Sequence, residues 1–83
     1  MDQLGAITIF HKVVETGSFS EAGRQMNLAP SSVSRRVVDL ENWLGATLFQ
    51  RTTRKLNLTE VGQVFYQNTR NILLDLELSL IHI

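Results

Sequence analysis

Three residues suited to a left-handed backbone, Gly17, Asn27 and Gly45, cut the first half of this 83-residue chain into short helical segments. Isolated helices below about 12–15 residues are marginal in water, so these segments must bury their apolar faces on one another. The first reads as a helix from Gln3 to Thr16, capped by Asp2, closed by Gly17 and carrying Leu4, Ile7, Phe10 and Val14 on its apolar face. The second is short: Ser18 and Ser20 both offer N-caps, Ala22 and Met26 face inward, Asn27 takes a tight turn and Leu28 plugs it from below. Gly23 is expected to loosen this helix by about 0.5–1 kcal/mol relative to alanine. The third opens on Pro30, whose missing N–H costs nothing in a first turn, and ends at Gly45. Its apolar residues Val33, Val37, Leu40 and Leu44 recur at spacings of four, three and four.

After Thr47 the period changes. Leu48 and Phe49, then Leu56 and Leu58, flank the polar run Thr52-Thr53-Arg54-Lys55, which reads as a hairpin with a basic tip. Thr59 caps a last helix with Glu60 in its first turn, where the helix dipole favours a carboxylate. Val61, Val64, Phe65, Ile72, Leu76 and Leu80 make an amphipathic pattern over some 22 residues, about 33 Å of helix. So small a body cannot cover all of it, and the stripe from Ile72 onward, Leu76 included, calls for a partner helix.

The third helix begins Ala29-Pro30-Ser31-Ser32-Val33-Ser34-Arg35-Arg36, small hydroxyls and two arginines opposite an apolar face. That arrangement suits a helix pushing its first turns into a DNA major groove. Net charge is zero, yet residues 24–55 hold six arginines and lysines against Asp39 and Glu41, a local charge of +4. Phosphate affinity follows local cations rather than the total. The absence of cysteine excludes disulfides and cysteine-rich zinc sites, and two histidines are too few for a metal cage, so neither cofactor nor metal is expected. No apolar run reaches the length of a membrane span, and Met1-Asp2-Gln3 lacks a signal peptide's positive flank; the expectation is a cytoplasmic protein with no membrane partner.

Ser18-Phe19-Ser20, Ala22, Val33-Ser34-Arg35, Leu40-Glu41, Leu44-Gly45, Leu48-Phe49, Arg51 and Leu58-Thr59-Glu60-x-Gly62 fall in one order along the chain. Together they resemble the N-terminal DNA-binding domain of LysR-type transcriptional regulators, from Leu4 to about Leu76. The resemblance implies a mainly α winged helix-turn-helix: three helices, a small β-hairpin wing and a long C-terminal linker and dimerisation helix. It implies a sequence-specific regulator that binds double-stranded DNA as a homodimer, with the major groove read by Pro30, Ser31, Ser34 and Arg35 and the minor groove approached by Arg54. It also implies pairing through the last helix at Ile72 and Leu76, and a small-molecule effector bound only by a further domain, absent here. Two departures stand out: many relatives have glutamine in place of Pro30 and alanine in place of Gly23.

The chemistry of the side chains supports the same roles. Arg35 can bridge guanine N7 and O6 with two donors, worth about 1–3 kcal/mol of discrimination, whereas serine is too short to choose strongly. Ser31 and Ser34 then suit phosphate or a thymine methyl, and Arg36 the sugar-phosphate backbone. Ser18 and Ser20 set the start of the second helix where free N–H groups suit a phosphate. Arg51 is expected to pair with Glu41 and pin the wing, Trp43 to cover the edge of its helix or the last helix, and His11 to sit on the surface of the first helix. The plain alternative makes Ser31, Ser32 and Ser34 helix-start residues and Arg35 and Arg36 a solvated face. Two other winged-helix readings are the winged domain of molybdate-responsive regulators and a protein-interaction module that reads no DNA. An enzyme is not expected: a hydrolase built on Ser34 and His11 would lack an oxyanion hole and a third orienting group.

These readings divide the chain into a winged helix-turn-helix over residues 1–59, a linker and dimerisation helix over 60–77, and a tail over 78–83. Leu78-Ser79-Leu80-Ile81-His82-Ile83 can be encoded by a sequence that resembles a transposon end used in preparing sequencing libraries, so that tail is read as a scar of adapter sequence.

Overall fold

Asp2 accepts a hydrogen bond from the Gly5 N–H at 3.1 Å and starts α1 (Gln3–Thr16), which Gly17 ends in the left-handed region at φ 71°. The computed structural model describes residues 2–51 and 56–81, with the backbone alone at 76, 77 and 79–81. α2 (Phe19–Met26) closes on Asn27 at φ 61°, and α3 (Pro30–Leu44) on Gly45 at φ 71°. Strands β1 (Phe49–Arg51) and β2 (Leu56–Leu58) pair antiparallel in the register Phe49 to Leu58, Gln50 to Asn57 and Arg51 to Leu56. α4 (Glu60–Ile81) follows at once. The helix order, the hairpin and the long last helix expected from the sequence are all present, and together they form a winged helix-turn-helix.

α1, α2 and α3 pack around Ala6, Ile9, Phe10, Val13, Ala22, Val33, Val37 and Leu40, and the wing adds Leu48 and Phe49 to this core. Phe10 is at the centre, its ring 5.3 Å from that of Phe49 and 5.5 Å from that of Phe65, so one side chain joins α1, the wing and α4. Burying so large an aromatic among partners at these separations contributes both apolar area and favourable ring geometry.

The buried arc of α1 differs from the stripe expected. Ala6, Ile9 and Val13 are buried, Ile7 and Val14 pack at the margin, and Leu4 is half exposed, because α1 is covered from several sides rather than one. His11 is also buried rather than a surface residue. Its Nε2 lies 2.6 Å from Thr69 Oγ1, and its ring stacks on Tyr66 at 4.5 Å. The Thr69 hydroxyl donates its proton to the Phe65 carbonyl at 2.7 Å, so it accepts from His11 and the Nε2 must carry the hydrogen.

Two glycines mark close backbone approaches. A methyl at Gly62 would collide with the Leu48 carbonyl oxygen, so α4 can start directly beneath the wing only with glycine there. At Gly23 a methyl would meet the Leu28 carbonyl oxygen at 2.5 Å. The tight turn, whose Leu28 N–H donates to the Gly23 carbonyl at 2.8 Å, therefore uses the space that glycine leaves; the glycine does more than loosen its helix.

Glu41 ties α3 to the wing. Its Oε2 accepts from the Leu48 N–H at 2.7 Å and the Phe49 N–H at 3.3 Å, while its Oε1 is 3.9 Å from the Arg51 guanidinium. Thr59 makes the second tie: its hydroxyl donates to the Thr47 carbonyl at 2.6 Å and accepts from the Gly62 N–H at 2.9 Å, capping α4.

Replacing Glu41 with alanine leaves the Leu48 and Phe49 N–H groups without their acceptor and is expected to cost about 1–3 kcal/mol in urea unfolding, with Glu41→Gln intermediate. Burial lowers the His11 pKa from its ordinary 6.5, Glu15 pulling it back up and Arg70 lowering it further. The unfolded chain then takes up a proton that the folded chain resists, so this contribution is complete above 6.5 and is lost as the pH falls below it. The thermal midpoint should fall from about pH 7.5 to about pH 5.5, and His11→Gln should flatten that dependence.

Candidate nucleic-acid interface

The exposed surface of α3 is set by its apolar spacing: with Val33, Val37 and Leu40 buried, Pro30, Ser31, Arg35, Arg36 and Asp39 must face outward. Pro30 occupies the first position of the helix, and Ala29 before it supplies no side-chain cap. α3 therefore begins with its positive dipole end open to a ligand. Ser31, Ser32 and Arg35 line one shallow depression beside that end, and Ser34 is half-buried on the same first turns. Arg35 and Arg36 also border a second depression with Asp2, Ala6 and Asp39.

The arginines of the basic segment are not equivalent. Arg24 grips Glu21 through two hydrogen bonds, holding that carboxyl below its ordinary pKa. Arg51 lies 5.1 Å from the centre of the Phe19 ring and beside Glu41, as the expected pin between wing and α3. Arg35 and Arg36 have no carboxylate within 4.0 Å among the described residues. Within the basic segment they are the described cations most available to an outside anion, and both are on α3; Arg70, equally without a carboxylate partner in the described set, is on α4.

Ser18 spends its oxygen on the chain itself, accepting from the Glu21 N–H at 3.2 Å as the cap of α2; its hydroxyl proton is left for an external acceptor. Ser20 is exposed in the first turn of α2 and is not the cap. Arg54 lies outside the described residues. Trp43 covers little, being 55% exposed near the end of α3. Ile72 is exposed on α4, while the side chain of Leu76 is outside the described set.

Sequence reasoning missed three parts of this arrangement. Glu41 carries the wing through backbone N–H groups, a role that only its place in the Leu40-Glu41 motif could suggest. Val61 and Val64 are exposed, so the uncovered face of α4 starts well before Ile72. Thr69 is buried against α1, with no sequence signal beyond its position among apolar residues. Among the described residues no group of three or more acidic or histidine side chains could hold a metal ion, and no helix is long and apolar enough to cross a membrane.

The profile of "Bacterial regulatory helix-turn-helix protein, lysR family" matches residues 4–63. An uncharacterised HTH-type transcriptional regulator of Haemophilus influenzae is 49% identical over 77 residues, covering 93% of this chain and 27% of that protein. The HTH-type transcriptional activator AaeR of Escherichia coli is 44% identical over 73 residues, covering 88% of this chain and 24% of AaeR. The chain thus spans about a quarter of the length of these relatives. Among solved structures, the BenM DBD in complex with benA site 1 DNA superposes with a TM-score of 0.92 at 30% identity, covering 99% of this chain and 91% of that one. The DarR protein of Vibrio fischeri in complex with DNA has a TM-score of 0.85 at 26% identity, covering 93% of this chain and 26% of that one. With the profile spanning most of its length, this chain belongs to the lysR family of bacterial regulatory helix-turn-helix proteins.

Proposed function

We propose that this chain is the DNA-binding module of a cytoplasmic LysR-type transcription regulator, setting the first turns of α3 into the major groove of double-stranded DNA. The observation that carries the reading is the pair of guanidiniums, Arg35 and Arg36, free of carboxylate partners beside the uncapped start of α3. The fold shared with BenM and DarR, both solved with DNA, supports it. Arg35 discriminates bases through its two-donor edge, with Ser31 and Ser34 at its side and Pro30 shaping the approach. Arg36, Ser18, Ser20 and the start of α3 hold phosphates, and Arg54 of the wing approaches the minor groove. Because Pro30 brings no hydrogen-bonding side chain, part of the selectivity comes from DNA shape. Response to a small-molecule effector belongs to a further domain of the regulator.

Two copies pair through α4. Val61, Val64 and Ile72, all about half exposed, recur with Asn68 at spacings of three and four, which makes one continuous face. Leu76 extends the same helix edge by sequence spacing. Exposed apolar side chains on a single helix face bury well against a second copy, and a two-fold pair fixes the separation of two half-sites.

In a binding-site selection, Arg35→Ala should relax preference at one position per half-site, losing about 1–3 kcal/mol of discrimination; an unchanged motif would refute its reading role. Arg36→Ala and Arg54→Ala should instead weaken binding evenly and each reduce the salt slope by about 0.9. Sedimentation should find a dimer that Val64→Asp converts to a monomer; a variant that stays dimeric removes α4 as the interface.

A further inference from the structure

α4 behaves as a lever with a short seat. Its contacts with the body fall on Gly62 beneath the wing, on Phe65 and Tyr66 beside the core, and on Thr69 against α1. Val61 and Val64 are already exposed on its outer side, and past Thr69 the buried side fades too: Arg70, Asn71, Ile72, Leu74 and Asp75 face solvent, and among the described side chains there only Leu73 is half-buried. From Gly62 to Thr69 the seat is about 10 Å long, while the helix continues about 18 Å further to Ile81. A tilt of roughly 7° about Gly62 would displace that far end by about 3.4 Å, the rise of one base pair.

The outer edge of the seat is held by one directional contact. Among the described residues, the His11 Nε2 to Thr69 Oγ1 hydrogen bond of 2.6 Å is the one hydrogen bond between α1 and α4. It is fixed at both ends. Thr69 has committed its own proton to the Phe65 carbonyl, and His11 is held by its stack on Tyr66 and the edge of Phe10. Aromatic contacts such as Phe10 to Tyr66 at 6.2 Å tolerate a few degrees of tilt, whereas a hydrogen bond weakens steeply with angle. An apolar pair of similar shape would fill this place at little cost in stability, so what the polar pair adds is direction.

We propose that His11 and Thr69 are positioning residues: their hydrogen bond sets the angle at which α4 leaves the winged-helix body, and so sets the spacing between the two half-sites that a pair of chains reads. This rests on the dimeric DNA-binding reading above. The 83-residue chain selects from DNA in which two half-sites are separated by every spacer length. Wild type is expected to favour one spacer. Thr69→Val, which keeps the shape and removes the hydroxyl, should retain the same half-site sequence while its preference for that spacer over its neighbours falls roughly three- to tenfold. Thr69→Ser should restore the wild-type profile. The double variant His11→Phe with Thr69→Val orphans neither polar group, carries the same expectation and guards against a single variant that fails to fold. A wild-type spacer profile in Thr69→Val or in the double variant overturns the proposal, as does equal broadening by Thr69→Ser. Single half-sites without any paired arrangement in wild type would refute the dimeric reading itself, a result distinct from an unchanged spacer preference.

Discussion

The Glu41 carboxylate is the joint on which the interface depends. α3 carries Arg35 and Arg36, the wing follows it in the chain, and what fixes one relative to the other is a carboxylate accepting from two wing N–H groups. Its side chain is only 14% exposed, so these bonds are sheltered from competing water, and the 3.9 Å approach of Arg51 supplies the balancing charge. Arg51 in turn lies over Phe19 at the start of α2. One acid therefore connects α3, the wing and, through Arg51, α2. The consequence is geometric: α3 and the wing keep a fixed separation, which the proposed engagement of two grooves would require and which loops alone would leave free to vary.

A second constraint comes from beneath. Phe10 is fully buried among Phe49, Phe65 and His11, so the wing and α4 rest on the same residue of α1. The Leu48 carbonyl leaves no room for a methyl at Gly62. Thr59 bridges the two by donating to Thr47 and capping α4. The wing is thus gripped from α3 by Glu41 and from α4 by Thr59, which explains how two strands of three residues each stay in register. A two-stranded hairpin alone would be marginal.

Much of this was legible in the chain because it is encoded locally. Asp2, Ser18 and Thr59 sit where a side-chain oxygen meets an N–H three residues on, and Gly17, Asn27 and Gly45 sit where the backbone must turn left-handed. Such signals need no knowledge of the tertiary fold. What failed to show were contacts that only the folded backbone brings about. His11 reads as a polar residue on a helix until Thr69, 58 positions away, is brought against it. Gly23 reads as a weak helix residue until the Leu28 carbonyl closes on it. Val61 and Val64 read as core by periodicity, yet α4 turns its buried face through Gly62, Phe65, Tyr66 and Thr69 instead.

The electrostatics of the interface follow the same division between local count and spatial partner. The +4 of residues 24–55 suggests a broadly basic surface, but Glu21 engages Arg24 and Glu41 stands beside Arg51. What is left of that charge on the described surface is on α3, where two adjacent guanidiniums share a depression with Asp39 and with Asp2 from the start of α1. A chain of zero net charge has little long-range attraction for a polyanion, so its affinity must be gained at contact and should fall with salt in proportion to the few phosphates actually neutralised. Few phosphates per module is also the condition under which pairing matters most. On the proposed pairing, one module would hold DNA weakly, two joined through α4 would hold it at two points, and the direction of α4 would then decide which pairs of sites can be held at once.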